Sequence, residues 1–210
     1  MKGRKFIMYP TLLFKSVGGF ASVISGLFLG IGHLINLLGE ADDGTVFGQS
    51  LVLFGHLGLS FAFIGLFEAQ GKKNGLLGNL GMLLGLIGTT CVTAVVFVEI
   101  AGVSGVNVKP IFDEGVSGII YTVGPLFFVL GMILVGISVM KEGILPRMGG
   151  LCLIVGTLVF ALATIIPNAE GIITVIGGAI TGIGFVWLGG YLLSAIGKRE
   201  LTNQTKMKAL

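Results

Sequence analysis

Charge is what this chain has least of. Of 210 residues, 13 are lysine or arginine and 10 are aspartate or glutamate. A water-soluble domain carries about a quarter of its residues charged. The 11% found here, with 54% hydrophobic residues and a mean hydropathy of +1.02, excludes one. Histidine and cysteine number two each, tryptophan one and proline five. Cys91 and Cys152 both lie in apolar runs, where a thiol acts as a small hydrophobe and its thiolate is disfavoured, so a disulfide framework or a thiolate metal site is not expected. There is no Walker loop, nucleophile elbow, dinucleotide fingerprint or paired-histidine metal motif. Transport driven by this chain's own ATPase is excluded, and the balance leans away from an enzyme.

Apolar length is what the chain has in abundance. The uncharged stretches Lys15 to Glu40, Asp43 to Glu68, Lys73 to Glu99, Glu114 to Lys141, Arg147 to Glu170 and Glu170 to Lys198 each hold 22 to 27 residues. A bilayer core of about 30 Å takes roughly 20 helical residues to cross. The runs are apolar throughout, unlike the alternating strands of a barrel, and must close their backbone hydrogen bonds internally. The spacing predicts an all-α, polytopic membrane protein of six transmembrane helices forming one domain over residues 1–210. Residues 1–15 are then a cytoplasmic N-terminal segment and 198–210 a cytoplasmic tail.

Basic residues set the orientation. Lys2, Arg4, Lys5, Lys15, Lys72, Lys73, Lys141, Arg147, Lys198, Arg199, Lys206 and Lys208 share one side, leaving Lys109 alone on the other with Glu40, Asp42, Asp43, Asp113, Glu114 and Glu170. Both termini are therefore expected in the cytoplasm, with the first span an uncleaved anchor in a plasma (inner) membrane. The net charge of +3 reads as a juxtamembrane belt facing lipid headgroups, with no nucleic-acid footprint. The lipid bilayer is the first partner, and a membrane or cytoplasmic protein the second.

Glycine, 37 residues in all, recurs at helical spacing: Gly18, Ser22, Gly26 and Gly30; Gly81, Gly85, Thr89 and Thr93; Gly178, Gly182 and Gly190. Such small faces read as helix-packing seams. Spans 1, 3 and 5 open alike, with "KSVGGFASVISG", "GNLGMLLGLIGTT" and "PRMGGLCLIVGT", and Gly75, Gly81, Gly88 and Thr89 match Gly143, Gly149, Gly156 and Thr157 at one offset. Three degenerate two-helix hairpin repeats are the reading, with a Gly- and Leu-rich alphabet matching by chance as the alternative. The starts "KSVGGF" and "PRMGGL" with the ending "FVWLGGYLL" resemble small prokaryotic six-helix membrane proteins of unassigned function. That resemblance implies a prokaryotic membrane and transfers no active residue.

The polar residues left inside the spans carry the functional reading, since ionisable groups within a membrane are costly. His33 extends the small face of the first span, three residues from Gly30 and from Asn36, and His56 shares a face with Ser60. Both fall in the outer half. With Glu99 and Tyr121 near the outer ends of spans 3 and 4, the expected ligand site is an outward-facing polar pocket of His33, Asn36, His56, Glu99 and Tyr121. It would take a small molecule or proton in a binding, sensing or accessory protein. Three other readings stay open. His33 and His56 would be the axial ligands of b-type haem in an electron-transfer protein, with Gly32 and Gly55 making room for the macrocycle. His33, His56 and Glu99 would hold a metal such as zinc. Or His33 and Asn36 would only fix helix register by bonding across to Ser60, Tyr121 or backbone carbonyls.

Overall fold

The computed structural model describes residues 10–39, 44–166 and 169–208, so Lys2, Arg4, Lys5, Glu40, Asp42 and Asp43 of the expected charge pattern lie outside the described residues. The helices are α1 (Pro10–Leu37), α2 (Val46–Gln70), a 3-10 turn η1 (Gly71–Asn74), α3 (Gly75–Val103), the short α4 (Lys109–Asp113), α5 (Gly115–Glu142), α6 (Arg147–Leu162) and α7 (Glu170–Lys208). No β-strand occurs among the described residues. The chain is all-α, as apolar backbone in lipid requires.

Four helical segments are long and apolar enough to cross a bilayer: Thr11–Leu37, Val46–Val103, Gly115–Glu142 and Glu170–Lys198. The protein is a multi-pass membrane protein. The expectation of six separate spans is met in part, for two physical reasons. First, Val46–Val103 is unbroken helical backbone of 58 residues that folds back on itself at η1. Gly71 and Gly75, at φ +55° and +57°, flank the turn in the left-handed region that suits glycine. Beyond it Phe63 meets Gly85, His56 meets Thr89 and Gln49 meets Glu99, the descending and ascending numbers of an antiparallel hairpin. Second, α6 has 16 residues, about 24 Å at 1.5 Å per residue. The uncharged stretch runs on past its end to Glu170 but includes Pro167, and in a continuing helix a proline ring clashes with the carbonyl four residues before it, here that of Ala163. Counting uncharged residues does not test helix continuity.

Each long helix packs against its neighbours in the chain, α1 with α2, α2 with α3, α3 with α5, α5 with α6 and α6 with α7, and α7 closes on α1. Glycine sets the closest approaches. A Cβ on Gly18 would strike the backbone of Gly65; one on Gly88, that of Phe128; one on Gly131, that of Gly85; and one on Gly26, the carbonyl of Gly182. In lipid there is no hydrophobic drive between helices, so this backbone contact carries association.

The interior is organised by α2. Gln49, Val52, His56, Leu59, Phe63, Leu66 and Gln70, spaced alternately by three and four, are all buried. That period keeps one stripe facing inward. Phe63 meets Phe185 of α7 edge-on at 6.1 Å, and Met132, Val139, Leu153 and Leu188 complete a fully enclosed apolar core. The opposite surface is apolar and open: Phe20, Phe54, Phe61 and Phe97 are all more than half exposed, which suits contact with acyl chains. The phenylalanines of α2 thus divide, Phe54 and Phe61 outward and Phe63 into the core.

Placing a side chain at a closed approach should force the helices apart. Gly65→Ala is expected to cost about 1–3 kcal/mol through overpacking, whereas Gly190, with no atom within 4 Å of an added Cβ, should accept alanine. Thermal unfolding of the two variants in one detergent checks this; equal melting temperatures would mean the Gly18–Gly65 contact does not hold α1 to α2.

Candidate functional site

The five sequence-predicted residues fall into separate local settings. Asn36 sits at the end of α1, where its Oδ1 accepts the backbone N–H of Thr45 at 3.0 Å. Thr45 in turn caps α2, its hydroxyl accepting from the Gly48 N–H at 2.9 Å. Asn36 therefore fixes the α1–α2 connection and bonds neither to Ser60 nor to Tyr121. Tyr121 stacks on Phe112 of α4 with ring centroids 4.4 Å apart. It is nearly half exposed, turned toward the connection between α3 and α5.

His33 and His56 both point inward, each toward an aromatic ring, of α6 and of α5 respectively. The His33 ring lies 5.2 Å from that of Phe160 on α6 and against Gly178 of α7, where an added Cβ would sit 2.6 Å from its Cδ2. His56 is buried, with Phe128 of α5 edge-on at 5.0 Å. Its Nδ1 lies 3.0 Å from the Thr89 hydroxyl, which also donates to the His56 carbonyl at 3.0 Å. Nearer the N-terminal end of α2, Gln49 donates from Nε2 to a carboxylate oxygen of Glu99 at 3.1 Å.

Neither metal arrangement is favoured by this geometry. Among the described residues, no three histidine, cysteine, aspartate or glutamate side chains gather as a metal would need, so Glu99 does not join the histidines. For haem the obstacle is room. Gly32 is closed over by Val52, Gly48 and Leu51, with an added Cβ only 2.9 Å from the Val52 side chain, and Gly55 is covered by Leu29. These glycines bring α1 and α2 together; they leave no slot for a macrocycle. The pair shares a helix seam, and the histidines turn away from it.

Sequence reading missed Gln49 as the partner of Glu99 and Thr89 as the partner of His56. It also missed a second polar cluster at the other end of α2. There Gln70 donates to Asn74 Oδ1 at 3.2 Å and to the Ser138 hydroxyl at 3.4 Å. Asn74 donates to the carbonyls of Phe67 and Gly71 at 2.8 and 2.7 Å, and Ser138 donates to the Asn74 carbonyl at 3.2 Å. The heptad spacing of Gln49, His56 and Gln70 was the available signal, since it puts all three on one face. A cavity of about 10 Å³ lies beside Gln70, lined by Phe63, Asn74, Gly78 and Met82 among others, and a shallow apolar groove runs between α1 and α7 at Gly26, Gly30 and Gly182. None of the five predicted site residues lines either.

Compared with family models, curated proteins and solved structures, the chain matches none.

The Gln70–Asn74–Ser138 cluster yields a ranking. Asn74→Leu removes the side-chain donor from the Phe67 and Gly71 carbonyls, the first of which keeps the Gly71 N–H, and should cost about 1–3 kcal/mol, as unsatisfied buried groups do. Gln70→Leu removes two donated bonds but also an Oε1 that is buried without a partner, so its cost should be smaller. Melting temperatures of the two variants test the order, and a Gln70→Leu protein less stable than Asn74→Leu would reverse it.

Proposed function

We propose that this chain crosses the membrane six times as three two-helix hairpins, with both termini cytoplasmic, and acts as a binding or sensing component whose polar interior opens to the outside. The six-span reading is supported by the antiparallel course of α2 and α3 about η1. The repeat reading is supported by recurring contacts. Gly18 meets Gly65 and Ser25 meets Gly58; Gly81 meets Val135 and Gly88 meets Phe128; Gly149 meets Leu188 and Gly156 meets Thr181. In every hairpin the second contact lies seven residues on in one helix and seven back in the other. The positive-inside distribution supports the orientation.

The observation that carries the functional reading is the order of residues on the inward stripe of α2. From its outer end come Gln49 with Glu99, then His56 with Thr89, and after these Leu59, Phe63 and Leu66, enclosed by Phe185, Met132 and Leu188. Polar side chains thus reach inward from one side to His56 and stop at an apolar plug. Charged and polar species have no hydrogen-bonding path across such a plug, and each unsatisfied group would cost several kcal/mol there. A site that receives a small molecule or proton from outside fits this layout; a through-pore does not. His33 and His56 are the groups at its floor, Glu99 lies toward its mouth, and Asn36 and Tyr121 shape the connections around it.

Cysteine accessibility tests the reading. In a Cys91→Ala/Cys152→Ala background in sealed vesicles, Gln49→Cys should react with a membrane-impermeant thiol reagent added outside, and Leu59→Cys should react from neither side. Lys73→Cys should react only from the cytoplasmic face. Protection of Gln49→Cys from both faces would remove the opening, and its labelling from the cytoplasm alone would invert the topology.

A further inference from the structure

The contact between His56 and Thr89 contains more information than a buried hydrogen bond usually does, because one hydroxyl serves two atoms of the same residue. Thr89 Oγ1 lies 3.0 Å from His56 Nδ1 and 3.0 Å from the His56 carbonyl oxygen. A carbonyl oxygen only accepts, and a threonine hydroxyl has one proton to give. If that proton went to Nδ1, the hydroxyl and carbonyl oxygens would face each other with no hydrogen between them. That arrangement is costly where Thr89 has no exposed surface and His56 is 5% exposed. The satisfied alternative sends the hydroxyl proton to the carbonyl and has the hydroxyl oxygen accept from Nδ1–H. A histidine whose Nδ1 carries the proton in its neutral form has an unprotonated Nε2.

We propose that Thr89 holds His56 in the Nδ1–H tautomer, which leaves Nε2 as the ring's hydrogen-bond acceptor, so that a ligand taken at His56 must donate to it, as an ammonium or amine does. The inference rests on the outward-opening reading given above. It makes Thr89 a positioning residue: it reaches the ligand only through the imidazole. Phe128, edge-on at 5.0 Å, walls the same ring from α5 and leaves α3 as its source of polar contact. Glu99, closer to the mouth, is an acceptor-only carboxylate when ionised, and it already takes a hydrogen bond from Gln49 Nε2. A carboxylate or other acceptor would meet a lone pair at Nε2 of His56.

The tautomer is directly measurable. The full chain, labelled with nitrogen-15 at histidine and held in lipid nanodiscs, should show for His56 a pyrrole-type Nδ1 and a pyridine-type Nε2, assigned by their loss in His56→Gln. Thr89→Ser retains the hydroxyl and should keep this pattern; Thr89→Val removes it and should give mixed tautomers. A protonated Nε2 in the native protein, or an unchanged spectrum in Thr89→Val, overturns the assignment, and if Thr89→Val does not fold the native spectrum still decides it. Methylammonium at fixed pH should shift the Nε2 resonance while acetate does not; a shift with acetate alone overturns the donor preference. If the tautomer is found and neither ion shifts it, the ligand assignment falls. Labelling of Gln49→Cys then tells whether the outward opening failed or only the choice of donor.

Discussion

Where Gly18 meets Gly65 and Gly85 meets Gly131, two helix backbones touch with no side chain between them, and most other features of the bundle follow from that contact. Apolar side chains gain nothing by leaving lipid for one another, so helices associate through dispersion and close fit. Glycine supplies the fit at the cost of side-chain volume. With so much interface made of backbone, only a few large residues are needed to fill the middle. Phe63, Phe185, Met132 and Leu188 do so with essentially no exposed surface.

That economy decides where polar groups can stand. The seam between α1 and α2 is filled where Val52 covers Gly32 and Leu29 covers Gly55, and His33 and His56 are turned past it into the interior. There each meets an aromatic ring from a helix across the bundle. Polar pairs then sit at distinct heights on α2, with the apolar core between His56 and Gln70. The two ends of the molecule are chemically separate: amide and carboxylate toward one side, and a closed amide and hydroxyl cluster at the other.

Much of this was legible from residue types alone. Long uncharged runs specify helices because nothing else satisfies backbone groups in lipid, and the small-residue faces were correctly readable as packing seams at Gly18, Gly26 and Gly81. The inward direction of His33 followed from its place after Gly30. The partners did not. Asn36 turned to the nearby Thr45 because helix ends leave N–H groups that local side chains reach first. Thr89 was visible only as one of a row of small residues, and its bond to His56 depends on how α3 folds back at η1. The length of α6 was hidden for a simpler reason: hydropathy counts residues, while a helix also needs an unbroken backbone, and Pro167 lies within the counted stretch.

The turn at Asn74 bears on how such a chain assembles. Asn74 donates to Phe67 and Gly71 and accepts from Gln70, all within a few residues of sequence, while Lys72 and Lys73 beside it remain exposed. Closing a short loop loses little chain entropy, so this hairpin can form its corner before the rest of the bundle exists. Ser138 reaches it from α5, a much more distant part of the chain. The corner is thus a preformed socket, complete in its local bonds and awaiting one hydroxyl, and α5 is registered against α3 when that hydroxyl seats on the Asn74 carbonyl.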